Sequence, residues 1–186
     1  MSAELRERVL DATFAEVEEN GLSGLTVEAV ATRASSSRAT IYRHFPGGRD
    51  ELVESAVRRE VERFFAAVSA VVPADGDLVA RVSALVAGAR RLLDEHRVLQ
   101  SLLEDEAEAI VPSLATVHPQ IEDALVATLR AELERSALPA GVDPDLAAEH
   151  GARMVLSYVG AAGSWDLDDP SAVDEVVRTR ILAGMV

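Results

Sequence analysis

Apolar residues recur at intervals of three and four positions along nearly the whole chain, and no segment shows strand-like alternation bounded by turn residues. The first predicted helix can begin after Ser2 and ends at Gly21. Thr26 can cap a second, short helix, a third runs over residues 38–45, and a longer helix follows over about 49–72. We therefore expect an all-α fold.

The second half of the chain keeps the same period and has recognisable helix starts and stops. Asp77 can cap a helix, and a shorter helical piece over residues 98–109 should end before Pro112. Pro119 is expected to open the next helix. Two more helices begin at an Asp-Pro pair, which joins an N-cap to a proline at the first helical position: Asp143-Pro144 and Asp169-Pro170. About nine helices are expected in all.

The composition is that of a folded protein without thiol chemistry. Of the 186 residues 48% are apolar, which is enough to bury a core, and none is cysteine. Disulfides, thiolate metal sites and cysteine nucleophiles are thereby excluded. No uncharged stretch reaches the roughly 18 residues that a membrane helix needs, and the N-terminus is charged. We expect a cytoplasmic protein with no membrane partner.

The net charge of −14 argues against a protein that coats nucleic acid. The excess is uneven, because residues 1–63 carry −3 and residues 64–186 carry −11. Residues 26–49 reverse the sign, to +3. Within them one acid, Glu28, stands against four arginines: Arg33, Arg38, Arg43 and Arg49. This basic window favours contact with phosphates, while the acidic remainder would limit indiscriminate DNA binding.

Residues 26–45 read TVEAVATRASSSRATIYRHF, which gives a capped short helix, a turn of three or four residues and a second short helix. This is the layout of a helix-turn-helix, whose second helix enters the major groove of DNA. On a helical wheel Ile41 and Phe45 share the inward side, so the opposite side faces outward. Spacing alone also allows an ordinary pair of packed amphipathic helices.

The outward side carries side chains that suit base and phosphate contacts. Arg43 can donate a forked pair of hydrogen bonds to guanine, Thr40 can meet a thymine methyl group, and Ala39 permits close approach. Tyr42 and Arg49 are expected to grip the DNA backbone from the flanks. The predicted DNA-binding residues are Thr26, Ser36, Ser37, Arg38, Ala39, Thr40, Tyr42, Arg43, His44 and Arg49.

About 55 residues at the N-terminus resemble the tetracycline-repressor (TetR) family of bacterial transcription regulators. The resemblance rests on TVEAVATRA and on SRATIYRHFPGGRDEL, which spans residues 37–52. It implies a homodimer that binds a palindromic DNA operator, usually as a repressor, and is released by a small-molecule effector. Residues 1–48 would then bind DNA, and residues 49–186 would bind the effector and dimerise, with the helix over about 49–72 as the connection. No cofactor is expected.

The turn departs from the family pattern, because Ser35 and Ser36 stand where a glycine and an aliphatic residue are usual. A serine in a left-handed backbone conformation costs about 1 kcal/mol relative to glycine. We therefore expect the two helices to be seated less tightly than is usual in the family.

Two sets of residues beyond this region are candidates for an effector pocket and a dimer seam. A mostly apolar pocket is predicted from scarce aromatic, methionine and histidine side chains: His96, Leu103, His118, Met154, Tyr158 and Trp165. A seam between the last two helices and their copies, which the family resemblance implies, is predicted from small and aliphatic residues: Gly151, Val155, Ala162, Val173, Val177 and Ile181. For both sets an ordinary internal core is the alternative.

Catalytic and metal motifs find little support. Glu104 and Glu108 with His118 or His150 could hold a divalent cation, but a solvated charged face is the simpler interpretation, and no metal is expected. The sequence has no nucleophile elbow, phosphate-binding glycine loop or HExxH motif, so we expect a regulator and not an enzyme. The alternatives are an all-α carrier or enzyme that does not bind DNA, and a helix-turn-helix used for protein contact.

Overall fold

The structure is a computed structural model, and it describes residues 3–160, 163 and 165–185. These residues form nine α-helices and one π-helical turn and contain no β-strand, which confirms the all-α prediction. The helices are α1 (Ala3–Gly24), α2 (Val27–Arg33), α3 (Arg38–His44), α4 (Arg49–Ala70), α5 (Leu78–Glu95), α6 (Arg97–Asp105), α7 (Ala107–Glu134), α8 (Pro144–Gly160) and α9 (Pro170–Val176), followed directly by the π-helical turn (Val177–Ile181).

Serine, threonine or aspartate side chains before five helices accept hydrogen bonds from backbone N–H groups that have no partner within the helix. Thr26 and Ser37, before α2 and α3, each accept from the nitrogen three residues on, at 3.1 Å. Asp77 does the same before α5, at 2.9 Å. Asp143 and Asp169 accept from the nitrogen two residues on, each at 2.9 Å. The predicted caps Thr26, Asp77, Asp143 and Asp169 are confirmed, and Ser37 caps α3 in the same way.

Helix α1 bends near its end and does not stop at Gly21. The backbone of Gly21 has φ 70° and ψ 176°, a combination that is essentially restricted to glycine, and one more turn follows as far as Gly24. The predicted helix stop is therefore a kink within α1. The predicted start, Ser2, lies outside the described residues.

The two central prolines do not interrupt the helices as predicted. Helix α6 ends at Asp105, and the break falls at Glu106, after which α7 continues through both Pro112 and Pro119. A proline inside a helix costs about 3 kcal/mol, because it removes one hydrogen bond and crowds the preceding turn. Burial of α7 side chains before and after each proline, such as Ile110, offsets this cost. A prediction from the proline alone does not take this burial into account, because the burial depends on residues distant in sequence.

Two compact units make up the chain. The first contains the residues up to Glu62 together with His96–His118, and the second contains Arg63–Glu95 together with the residues from Pro119 onward. The chain therefore passes from one unit to the other within α4, between α5 and α6, and within α7.

Each unit has its own apolar core. The first core joins side chains of α1–α4 to Leu102 of α6 and Ile110 of α7. The second includes Val82, Leu129 and Ile181. This division by packing differs from the predicted functional division after residue 48, because α6 and the start of α7 bury apolar side chains in the first unit. The functional division itself stays a prediction.

Candidate nucleic-acid interface

A left-handed turn joins α2 to α3 and sets the direction of α3. Ser35 has φ 50°, which the departure from the family pattern led us to expect. The backbone nitrogen of Ser35 donates to the Thr32 carbonyl at 3.1 Å, and that of Ser36 donates to the Ala31 carbonyl at 2.9 Å. These two bonds form a Schellman-type closure of α2, in which Ser35 occupies the position usually taken by glycine.

Two fully buried side chains hold α3 in place. Ile41 is 1% exposed and Phe45 is not exposed at all, which confirms the inward side predicted from the wheel. The guanidinium of Arg6, from α1, lies 5.2 Å from the centre of the Phe45 ring, a cation–π contact that the sequence did not indicate. These buried side chains determine which side of α3 faces outward.

The outward side of α3 has the side chains that were predicted to meet DNA. Ala39, Tyr42 and Arg43 are exposed, whereas Thr40 and His44 are half-buried. The hydroxyl of Thr40 lies 2.9 Å from that of Ser37, which also caps the helix. Together with the exposed Arg38, these residues form one continuous and mostly polar edge on α3, and we call it the reading surface.

The ring of Tyr42 packs on the glycine loop that precedes α4. Gly48 has φ 64°, and a Cβ built on it would lie 3.1 Å from Tyr42 Cε1. The neighbouring Gly47 nitrogen donates to Glu51 Oε2 at 2.8 Å, which fixes the loop to α4. The second glycine of the Pro-Gly-Gly sequence therefore leaves room for a tyrosine that remains 44% exposed.

Arg33 of α2 forms ion pairs with two glutamates of α1. Its Nε lies 2.6 Å from Glu16 Oε1, and its Nη2 lies 2.5 Å from Glu19 Oε2. The hydrogen bond from Arg33, and then its charge, lower the pKa of the Glu19 carboxyl. This arginine contributes to the local charge of +3 but serves the packing of the first unit.

Arg49 is engaged as well, at the end of α1. Its guanidinium donates to the backbone carbonyls of Leu22 at 2.5 Å and Leu25 at 3.3 Å. A cation at this place satisfies carbonyls that have no helical partner and meets the negative end of the helix dipole. The predicted grip of Arg49 on a phosphate remains a prediction, and it would have to compete with these bonds.

Arg38 and Arg43 are the arginines of the reading surface. Arg38 Nη1 lies 2.6 Å from Glu28 Oε1 of α2, while Arg43 Nε donates to His44 Nε2 at 3.4 Å. Among the residues that the structure describes, Arg43 has neither a carboxylate nor a carbonyl partner, unlike the other three arginines of the window. The local charge of +3 overstates what this surface offers to DNA, because the sequence does not show which acids pair with which arginines.

His44 has a depressed pKa at the end of α3. Partial burial disfavours the charged imidazolium, and the charge of Arg43 acts in the same direction. The lowered pKa favours the neutral imidazole, whose Nε2 accepts the hydrogen bond from Arg43.

Comparison with known proteins bears directly on this region. Residues 9–56 match the family described as "Bacterial regulatory proteins, tetR family". The chain carries a TetR-family N-terminal region. The KstR transcriptional repressor of Mycolicibacterium smegmatis is 34% identical over 96 residues, which are 52% of this chain and 47% of KstR. The match thus spans about half the length of that relative.

The TetR-like fold extends over the remaining helices. QsdR, a TetR-family transcriptional repressor from R. erythropolis, is 21% identical, and the match covers 100% of this chain and 97% of QsdR with a TM-score of 0.66. SmeT in complex with triclosan is 24% identical, with coverage of 94% and 90% and a TM-score of 0.58. At these identities the likeness concerns the fold alone.

The residues predicted to line an effector pocket of this TetR-like chain fall into both units. His96 caps α6 by accepting from the Leu99 nitrogen at 3.2 Å, and its ring edge faces Phe14 at 6.2 Å between centroids. Leu103 and His118 are exposed. The other three pack, partly buried, against the second core: Met154, Tyr158 and Trp165. Neither unit by itself gathers the six residues around one cavity.

A cleft of about 410 Å³ in the second unit is lined by other residues, several of them charged and none of them among the six predicted. Its lining includes Asp77, Arg81, Arg135 and Arg178. Arg81 is buried, and its Nε donates to Glu132 at 2.5 Å. The cleft therefore does not correspond to the predicted apolar pocket.

The residues predicted for the TetR-type dimer seam are buried within the chain itself. The aliphatic members are at most 4% exposed: Val155, Val173, Val177 and Ile181. At Gly151 an added Cβ would lie 3.2 Å from Leu129 Cδ1, so packing is close there too. Ala162 lies outside the described residues. The prediction is corrected, because these rows mark the core-facing sides of α8 and the last helix.

Two further findings concern the part of the chain that the structure describes. No helix there is both long enough and apolar enough to cross a bilayer. No three His, Cys, Asp or Glu side chains there are grouped so that they could hold a metal ion; Glu104 and Glu108 are exposed.

Proposed function

We propose that the protein is a ligand-responsive transcriptional regulator of the TetR type, most simply a cytoplasmic repressor and not an enzyme. The observation that carries the proposal is the reading surface: a mostly polar edge of α3 with an exposed Arg43, seated by Ile41 and Phe45, within a region that matches the family. A surface of this kind fits the major groove, where arginine can read guanine through two parallel hydrogen bonds.

The roles on the reading surface differ by position. Arg43 is assigned to base edges, because its donors are the least engaged by the protein itself. Tyr42 and Ser37 lie at the flanks of α3 and are assigned to phosphates, which position the helix without reading sequence.

Effector response follows as a linkage between two binding equilibria. A small molecule that binds better to the conformation with low DNA affinity must weaken DNA binding by the ratio of its affinities for the two conformations. Native mass spectrometry of the purified protein can reveal a retained small molecule. Adding that compound to the DNA complex should then release the DNA.

For the homodimer, we assign the seam to the outer side of α8. Leu146 is the most exposed large apolar residue of the described chain, at 65%. His150, Arg153 and Ser157 follow it at helical spacing and are also exposed. Two copies could bury this side against each other, as a twofold axis requires.

The DNA-binding proposal is tested with duplexes selected by the protein from a random-sequence pool, followed by fluorescence anisotropy at several salt concentrations. Arg43→Ala should lower the preference for the selected duplex over a shuffled one by about 1–3 kcal/mol. Tyr42→Phe should weaken both duplexes alike.

Arg58→Ala is the matched control, because it removes the same charge from an exposed ion pair on α4. Failure of the wild-type protein to enrich any sequence at moderate salt would contradict the proposal. Tight retention of a ligand or turnover of a substrate, without DNA binding, would instead support the carrier or enzyme.

A further inference from the structure

Glu28 and Arg38 form an ion pair across the two helices of the helix-turn-helix. Arg38 Nη1 lies 2.6 Å from Glu28 Oε1, and both side chains are more than half exposed, at 59% and 55%. Glu28 is the single acid between residues 26 and 49. The one carboxylate of the window thus lies against an arginine predicted to bind DNA.

The pair contributes little to the fold. Exposed ion pairs are worth about 0–1 kcal/mol, since water solvates both charges and both side chains lose freedom. The packing of α3 instead comes from the buried Ile41 and Phe45. A role for Glu28 must therefore be sought in what happens to Arg38 when a polyanion approaches.

On a duplex of arbitrary sequence, a phosphate that approaches Arg38 also meets the neighbouring carboxylate of Glu28, which repels it. Whether Arg38 shares its N–H groups between the two anions or leaves Glu28 for the phosphate, the net gain is small, because a carboxylate remains beside the DNA backbone. On a matching sequence, Arg38 can keep Glu28 on Nη1 and donate its remaining N–H groups to acceptors on a base edge.

We propose that Glu28 is a specificity-determining residue: it withholds Arg38 from sequence-independent phosphate contacts while leaving it able to read a base. This inference rests on the proposed function. It assigns to a carboxylate of α2 a part in DNA recognition that neither the recognition helix nor the family pattern indicates.

The experiment compares wild type, Glu28→Gln and Glu54→Gln on a duplex selected by the wild-type protein and on a shuffled duplex of the same composition. Glu54→Gln is the matched control, because it neutralises an acid that is also paired with an arginine and is 40% exposed, and this partner, Arg58, is on the same helix α4. Glu28→Gln should bind the shuffled duplex about threefold to tenfold more tightly, with a salt dependence steeper by about one phosphate contact. Its affinity for the selected duplex should rise by less, so the preference falls at least threefold relative to the control.

A second comparison, in an Arg38→Ala background, tests whether Glu28 acts on DNA binding through Arg38. There Glu28→Gln should change DNA binding no more than Glu54→Gln does. The inference is overturned if Glu28→Gln equals the control, if it strengthens both duplexes equally, or if its effect persists without Arg38. If the wild type enriches no sequence, the proposed function fails and this inference fails with it.

Discussion

Ser35 illustrates how the backbone conformation of one residue affects the stability of the helix-turn-helix. Its φ of 50° requires the left-handed conformation, which glycine adopts without the crowding of a Cβ. Ser35→Gly should therefore stabilise the protein by about 0.5–1 kcal/mol, after allowance for the larger entropy of glycine in the unfolded chain. Urea unfolding followed by circular dichroism measures the difference.

Ser36→Gly is the control for that change. Ser36 has a negative φ, so glycine there relieves no strain and adds only flexibility to the unfolded state. A small loss of stability is expected. If both variants lose stability equally, the left-handed serine is not a source of strain.

At the residue scale, the sequence predicts local features well and distant partners poorly. The capping roles of Thr26 and Ser37 follow from residue type and from the apolar row that begins after them. Besides the adjacent Asp50, Arg49 has two partners that are carbonyls 24 and 27 positions away, and no local pattern contains these two. The reading surface could thus be located from sequence, whereas its available charge could not.

At the scale of elements, the kink of α1 is held by contacts with Glu106, the residue between α6 and α7. The Ser23 nitrogen donates to Glu106 Oε2 at 2.8 Å. A Cβ on Gly21 would lie only 2.1 Å from Glu106 Oε1, so the carboxylate rests directly on the glycine. Arg49 holds the carbonyls of Leu22 and Leu25 on the same stretch. The corner between α1 and α2 is therefore bonded both to the start of α4 and to Glu106.

Gly21→Ala should destabilise the protein by about 2–4 kcal/mol, because the backbone conformation is strained for alanine and Glu106 must give up Ser23 to make room. Glu106→Ala should cost about 1–2 kcal/mol through the lost hydrogen bond. The double variant should cost less than the sum, since the clash is then absent while the backbone strain remains. Thermal and urea unfolding of the wild type, the two single variants and the double variant give the stabilities for this double-mutant cycle.

Gly160→Ala is the matched control for the glycine change. It lies at the end of α8, and, apart from its own helix and chain neighbours, no atom of the described residues comes within 4 Å of an added Cβ. Its stability should stay within about 0.5 kcal/mol of wild type. Strict additivity of Gly21→Ala and Glu106→Ala would show that the two residues do not interact.

The helix boundaries show the limits of sequence-based prediction at the scale of elements. A proline predicts a helix end because the local cost is large, yet α7 runs through Pro112 and Pro119. The actual break, at Glu106, has neither proline nor glycine. Packing of α6 and the start of α7 into the first unit decides it, and such packing depends on residues far apart in sequence.

At the scale of the whole molecule, the same limit applies to interfaces. A row of small and aliphatic residues predicts a helix face that is buried away from solvent. It does not indicate whether the same chain or a second copy covers that face. In α8 the chain covers it, as the burial of Val155 shows. The remaining side of α8, where Leu146 lies, is the one a partner can reach.

Leu146→Glu should convert the proposed dimer into monomers. A twofold seam brings a residue near its own copy, so one substitution places two carboxylates in a surface that is being dehydrated. Sedimentation velocity at micromolar protein should show the halved mass, and affinity for the selected duplex should fall because two reading surfaces no longer bind as one unit. Val111→Glu is the matched control: it makes the same kind of change at a 52% exposed residue of α7 and should leave both mass and DNA affinity unaltered. A Leu146→Glu protein that remains dimeric would exclude the outer side of α8 as the seam, even if DNA binding is intact.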